Sequence, residues 1–224
     1  MTVPRAWMAW SSGKDSLWAL HVARRSCDLE VAGLLTTLTA DYARVSMHGV
    51  REALLQAQAD ALGLPLHRVL ISASCSNEEC EAKMALALAA ARDQGVTKVV
   101  FGDLYLECIR SYREERLRDT GLAPVFPLWG MPTRALAEEM IAAGVRAVLT
   151  CVDPSKVSRE FAGREFDADL LLALPPDADP CGENGEFHTF AYAGPGFSAP
   201  LPVRVGETVE RGGFVFTDVL LTET

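Results

Sequence analysis

No CxxC pair occurs in the chain, and none of its four histidines stands at zinc-ligand spacing from its six cysteines, Cys27, Cys75, Cys80, Cys108, Cys151 and Cys181. That excludes the usual tetrahedral zinc modules and leaves most of the thiols to be read as buried apolar groups in a reducing compartment. Basic residues are also scarce: 21 Lys and Arg face 30 Asp and Glu, a formal charge of -9. Tight binding along a nucleic acid backbone needs clustered cations, so a nucleic acid partner is not expected. Long apolar runs are missing as well. The N-terminus MTVPRAWMAW carries no secretory-type run and no segment approaches a membrane span, so the expectation is a cytoplasmic protein with no membrane association. Neither internal repeats nor low-complexity segments are evident.

What is present is an alternation of apolar and amphipathic runs in 224 residues that are 49% hydrophobic, enough for a substantial core. AWMAW (6–10), EVAGLLTTLT (30–39), LHRVLI (66–71), VTKVVFGD (96–103) and VRAVLTCVD (145–153) read as strands. Between them, helices are expected over 15–25, 51–63, 77–95 with Asn77 as cap, about 109–119, and 132–143 beginning at Pro132. Strands apolar on both faces that alternate with helices predict an α/β fold, an open and mainly parallel sheet covered on both sides. After about residue 153 the rhythm changes to a helix near 157–173, the segment LPPDADPCGENGEFHTF and a Gly-rich hairpin, LPVRVGETVERGGFVFTDVLL. We divide the chain into 1–153, a nucleotide-binding α/β domain, and 154–224, a smaller α+β portion for substrate and catalysis.

The stretch AWSSGKDS (9–16) carries the first chemistry. A Walker loop would need Gly five residues before Gly13 and Ser or Thr after Lys14, but these positions hold Met8 and Asp15. The glycine pattern of a dinucleotide fingerprint is absent too. What remains is a short turn between a buried strand and a helix. Such a turn aims free amides and the positive helix end at an anion, with Ser11, Ser12 and Ser16 as hydroxyl donors and Lys14 as a full charge. Polar residues recur where strands of such a sheet end: Ser12, Thr36, Thr37, Ser72 and Asp103. Ligands of open α/β sheets bind at that edge.

SSGKDS resembles the SGGxDS signature of the PP-loop ATP pyrophosphatases, with Ser12 standing where the first of two glycines is usual. The resemblance continues through VSMHGVRE (45–52), VVFGDLYLE (99–107), the helix bearing Tyr112, Arg113 and Arg116, FPLW (126–129) and, most specifically, DPCGENGEFHTF (179–190). Together these are similar to the diphthine ammonia ligase family, in particular its short bacterial-type members. The resemblance implies an adenine nucleotide alpha hydrolase-like fold and ATP cleaved between its α and β phosphates with magnesium. AMP would pass to a carboxylate, and ammonia would attack the acyl adenylate to form an amide. The acceptor it implies is diphthine on an elongation factor or, in a bacterium, a small carboxylic acid, cobalamin-related chemistry being one guess. Free ammonium or a partner would supply nitrogen.

Mapped residue by residue, the resemblance gives Ser11, Ser12, Gly13, Lys14, Asp15, Ser16, Thr36, Thr37, His48 and Asp103 to the nucleotide. Asp15 and Asp103 are the candidate magnesium ligands. Tyr112, Arg113, Arg116 and Thr189 go to the substrate, and Lys14, Glu183, Glu186 and His188 to catalysis. Each has an ordinary reading beside it. Asp15 serves equally as a helix cap, Thr36 and Thr37 as strand packing, and most charges of 109–119 as surface pairs. Glu183, Glu186 and His188, whose ordinary reading is a polar, exposed hairpin turn, form a dense polar cluster in which an extended GEFHTF sets Glu186 and His188 on one face. Two other functions share the loop: a transfer RNA modifying enzyme of the thiolation or lysidine type, and a sensing module that binds ATP without turnover. The acidic charge and the missing CxxC count against the first. The joint presence of Lys14, Asp15, Asp103 and the late acidic cluster counts against the second.

Overall fold

The structure, a computed structural model, describes residues 3–25, 29–41, 44–45 and 49–222. Strand β1 (Arg5–Ala9) leads into helix α1 (Lys14–Arg25), followed by β2 (Glu30–Thr39), the two-residue β3 (Arg44–Val45), α2 (Glu52–Leu62) and β4 (Leu66–Ile71). Then come α3 (Asn77–Asp93), β5 (Val96–Val100), α4 (Glu107–Leu117), β6 (Ala123–Val125) and α5 (Thr133–Ala142). The remainder is β7 (Arg146–Val152), a 3-10 turn (Arg159–Phe161), α6 (Ala168–Ala173), β8 (Phe187–Ala193), β9 (Val203–Arg211) and β10 (Phe214–Leu221).

The expected parallel sheet is present. β1 pairs in parallel with β2 on one side and β5 on the other; β2 pairs in parallel with β4, and β5 with β6. From β1 the chain moves outward to β2 and β4, then returns to lay β5 and β6 on the opposite side. The place where that order reverses, between the carboxyl ends of β1 and β5, is where such sheets bind ligands. β1 is buried on both faces because Ala6 and Met8 join one apolar cluster while Trp7 joins the other, with Leu35, Val69, Val99 and Phe101.

Four details differ from the sequence expectation. The strand at 146–152 lies in a second, antiparallel sheet of order β8-β7-β10-β9, where its partners β8 and β10 come from the C-terminal part of the chain. An apolar run fits either sheet, so the pattern alone does not choose. The helix expected over 157–173 is broken into the 3-10 turn and α6, because Gly163 turns the chain at φ 82° and Asp167 starts a new helix by accepting from Leu170 N at 2.8 Å. Helix α3 is capped by Ser76 rather than Asn77: Ser76 Oγ accepts from Glu79 N at 3.2 Å and Glu79 returns the bond, a capping box. β3 and β6 escape sequence patterning, one for its length and the other because Pro124 suits only a sheet edge.

The two sheets share one core. Trp10 Nε1 donates to Gln58 Oε1 at 2.8 Å, and Gln58 Nε2 donates to the carbonyls of Ser12 (3.0 Å) and Ala191 (2.6 Å). A fully buried amide thereby joins β1, α2 and β8 just below the turn at 11–16.

Candidate functional site

The turn after β1 is shaped by its own hydroxyls. Ser16 Oγ donates to Gly13 O at 2.9 Å, Gly13 N donates to Ser11 Oγ at 3.4 Å, and Ser11 and Ser16 Oγ stand 3.2 Å apart. Ser12 holds φ 71°, a left-handed conformation that L residues other than Gly, Asn and Asp seldom adopt, and its enclosed Oγ has no protein partner. The turn is pressed against the segment that follows β5. A Cβ on Gly102 would lie 3.0 Å from the carbonyl carbon and oxygen of Asp15 and 3.1 Å from Ser16 N. Only glycine lets these backbones meet, so the start of α1 and the end of β5 form one edge of the site.

Lys14 does not project freely from that edge. Its side chain is 1% exposed, and its Nζ donates to both Asp15 carboxylate oxygens at 3.0 and 2.9 Å and to the carbonyl of Cys181. Phe166 and Phe187 lie beneath the ammonium, 5.2 and 5.4 Å from Nζ to ring centres. Burial, the largest single influence, opposes the charge, but Asp15, Cys181 and Asp179 together outweigh it and the net direction is upward from the ordinary lysine value, so Lys14 is a cation. Its backbone N donates to Thr189 Oγ1 at 3.1 Å. The turn at 11–16 and the segment 179–189 are therefore bonded to each other through a single residue.

That segment folds around carboxylates. Asp179 Oδ1 accepts from Cys181 N (2.8 Å) and Glu183 N (3.2 Å), and Glu186 Oε1 accepts from Asp179 N (2.9 Å) and Asn184 Nδ2 (3.1 Å). Glu186 is 3% exposed and its Oε2 has no protein partner. Gly182 turns the loop at φ 74°, where a Cβ would sit 2.8 Å from Phe187 O. Glu183 reaches across to the first sheet, its Oε1 accepting from Leu104 N at 2.8 Å and Tyr105 N at 3.4 Å. Burial pushes its carboxyl up to about 7, against the pull of those two amides. Burial likewise drives His188 down to about 4, so it is neutral at pH 7. The Cys181 thiol is pushed up by burial and Sγ donates to Thr133 O at 3.4 Å, which makes it a poor nucleophile.

Ser11–Ser16, Asp103, Glu183, Glu186 and Thr189 thus lie on connected walls at the carboxyl ends of β1 and β5. Thr36 lies just past the end of β1, with its Oγ1 buried and without a protein partner, while Thr37 is half-buried. The extended segment begins at Phe187, so Glu186 belongs to the turn before β8 rather than to one strand face with His188. Arg113 Nε pairs with Asp103 Oδ2 at 3.4 Å and its guanidinium covers Phe101, whereas Arg116 turns away to Glu81 on α3 at 2.7 Å and covers Tyr112. The two arginines therefore do not converge. Leu128 is core, and Trp129 carries Arg110 on its face at 4.8 Å. His48 lies outside the described residues.

Sequence reasoning missed Gln58, Asp179 and the amides of Leu104 and Tyr105. Gln58 did have a signal, a polar residue on the stripe formed by Leu54, Leu55 and Leu62. Asp179 before Pro180 is a turn former whose bonds run two and four residues onward. As for magnesium, no group of three or more His, Cys, Asp or Glu among the described residues is placed to hold a metal. Asp15, one candidate ligand, pairs with Lys14 at 2.9 Å, and Asp103, the other, pairs with Arg113 at 3.4 Å.

Among the described residues no helix is long and apolar enough to cross a membrane. Residues 5–124 match the family model described as the diphthamide synthase N-terminal domain. The chain is 26% identical over 176 residues to a protein of Rattus norvegicus named diphthine--ammonia ligase, covering 72% of this chain and 66% of that one. The Mus musculus protein of the same name gives the same identity and coverage, and that of Danio rerio is 27% identical over 176 residues, 72% of this chain and 69% of its own. The chain thus spans just under two thirds of the mammalian relatives. The family model covers more than half of the 224 residues, including the turn at 11–16 and the end of β5, and the chain belongs to the diphthamide synthase N-terminal domain family.

Proposed function

We propose that the chain is an ATP-dependent amide ligase that adenylates a carboxylate, releases pyrophosphate and passes ammonia to the acyl adenylate. The observation that carries this reading is the direct joint between the anion-type turn at 11–16 and the carboxylate loop at 179–189, made by Lys14 N to Thr189 and Lys14 Nζ to Cys181 O. The relatives' printed name supplies the two substrates, a carboxylate of the diphthine type and ammonia. Residues 1–153 take the nucleotide and 154–224 contribute the loop for the second half-reaction.

In this scheme the start of α1, with Ser11 and Ser16, stabilises the charge that grows on the leaving β and γ phosphates. Lys14 adds its charge from behind while keeping the two loops in register. Thr36, whose hydroxyl lacks a protein partner, offers a bond to the adenosine. The acyl adenylate then needs neutral ammonia beside it. Glu183, with its carboxyl held at about 7, takes a proton from ammonium at physiological pH, and the freed lone pair attacks the acyl carbon as AMP leaves. Glu186 keeps the loop in shape, and His188 stays neutral. Tyr112 and Arg116, exposed on α4, present an aromatic and cationic surface to the acceptor.

The test is nucleotide product analysis with magnesium ATP and ammonium, adding a diphthine-bearing elongation factor in one arm and fractionated small carboxylic acids in the other. Acceptor-dependent AMP and pyrophosphate are expected. ADP and phosphate would overturn the proposal, and ATP binding with no turnover in either arm would favour a sensing module.

A further inference from the structure

Gln58 lies fully enclosed on the apolar stripe of α2, among Leu54, Leu55, Ala59 and Leu62. A buried carboxamide is costly unless its donors and its acceptor are all bonded, and here they are. Oε1 faces Trp10 Nε1, which can only donate, and Nε2 faces the carbonyls of Ser12 and Ala191, which can only accept. A flip of the amide would set N–H against N–H and oxygen against oxygen, so its orientation is fixed. Its grip falls on the turn at a strained residue. Ser12 O accepts from Gln58 Nε2 at 3.0 Å and from Ala191 N at 2.9 Å while Ser12 stands at φ 71°. The peptide from Ser12 to Gly13 is trans and planar, so a carbonyl pinned toward Gln58 turns the Gly13 N–H the opposite way, to Ser11 Oγ at 3.4 Å. On β8 the same amide holds Ala191, close along the strand to Thr189, whose hydroxyl takes the Lys14 N–H.

We propose that Gln58 is a positioning residue for the nucleotide: its carboxamide holds the Ser12–Gly13 peptide in the orientation that lets the turn at 11–16 receive the β and γ phosphates, and it seats that turn on β8. The assignment rests on the reading of the turn as the phosphate site. The helix start and the hydroxyls attract the anion, and Gln58 keeps them arranged for it from behind. Without the amide, Ser12 O keeps one bond, and Trp10 Nε1 and Ala191 O lose theirs. The peptide then relaxes from its left-handed conformation toward a commoner one and swings the Gly13 N–H away from the anion. Among the described residues the bonds of Gln58 run to Trp10, Ser12 and Ala191 and none runs to Thr36, where the adenosine is placed. The loss therefore concerns the phosphates beyond the α position.

Gln58→Met keeps most of the side-chain bulk and removes both donors and the acceptor. Binding of magnesium ATP and of AMP to the full-length protein is measured by titration calorimetry well below the melting temperature, beside the native chain. The dissociation constant for ATP should rise roughly tenfold, about the worth of one lost hydrogen bond, while that for AMP stays within about twofold. Trp10→Phe takes away only the donor that orients the amide. It should repeat the pattern at roughly threefold, and it carries the test should Gln58→Met not fold. A part that was only structural would lower the melting temperature of both variants and leave the ratio of the two constants as in the native chain, and that result overturns the proposal. Because the readout is binding, a native chain that binds ATP but forms no amide ends the ligase reading and leaves the role of Gln58 standing. A native chain that binds ATP no more tightly than AMP removes the phosphate site on which both rest.

Discussion

The turn at 11–16 and the loop at 179–186 meet at one site but keep their shapes by opposite means. The turn closes on itself with hydroxyls and main chain, Ser16 Oγ to Gly13 O and Gly13 N to Ser11 Oγ. The loop closes with carboxylates that accept from main-chain N–H groups, Asp179 to Cys181 and Glu183, Glu186 to Asp179, and Glu183 to Leu104. A donor-rich turn suits an anion. An acceptor-rich loop suits an ammonium ion or an amine, and it divides labour within itself: Glu186 is buried with two bonds into the loop, whereas Glu183 is half-buried and bridges to the other sheet.

The largest effect that comparison predicts comes from its chemical carboxylate. Glu183→Gln keeps an oxygen to accept from Leu104 N but removes the base, so amide formation should fall by about 10²–10⁴-fold with ATP binding retained. In the native enzyme the amidation rate should rise with pH through about 7 as the carboxyl ionises. Stability runs the other way. The folded carboxyl binds its proton more tightly than the unfolded one, so its contribution is full below the ordinary value of 4.5 and is lost as pH rises through about 7. Melting curves against pH should show that loss, and Glu183→Gln should flatten it. A variant with an unchanged amidation rate and an unchanged pH slope would assign Glu183 the purely structural part that Glu186 plays.

Next in size is the joint between the two regions. Lys14→Met preserves most of the bulk between Phe166 and Phe187 but leaves Asp15 without its cation and the Cys181 carbonyl without its donor. Breaking a buried pair costs several kcal/mol, and because Asp15 keeps 28% of its side chain exposed we expect roughly 2–3 kcal/mol, a fall in melting temperature of about 5–10 °C. Full loss of pyrophosphate release with a native melting temperature would show Lys14 acting on the nucleotide and not as the link between turn and loop.

How legible each region was follows from the same contrast. The turn and its strand were readable because everything that shapes them is local: an apolar run, a Ser-Ser-Gly turn and a helix start within about ten residues. β2 and β4 have the bounds expected of them, and the helices agree within two residues at most ends, because period and caps are also local. The loop was legible as a polar cluster but not as a structure. Glu183 finds its partners at Leu104 and Tyr105, 79 and 78 residues away, and Lys14 finds Thr189 at a separation of 175. Nothing in a short window records such bonds. The strand at 146–152 was recognised and its sheet was not, for the same reason: partner choice is a long-range property.

The smallest expected effect lies in the turn, at the one residue where its local logic is broken. Ser12 sits at φ 71° with a hydroxyl that bonds to nothing in the protein. Left-handed backbone costs a β-carbon-bearing residue about 1–2 kcal/mol, and glycine gives back about 0.5–1 kcal/mol of that through greater freedom when unfolded. Ser12→Gly should therefore stabilise the chain by about 1 kcal/mol, a rise of about 3 °C in melting temperature. A neutral result would mean that the hydroxyl contributes something the strain obscures, and Ser12→Ala, which keeps the strain and loses the oxygen, separates the two. Should both Ser12→Ala and Ser12→Gly raise the KM for ATP, the hydroxyl binds the nucleotide; should both leave KM unchanged, the turn binds its anion through Ser11, Ser16 and main-chain amides. That result would complete the contrast, with a turn that works by backbone set against a loop that works by carboxylates.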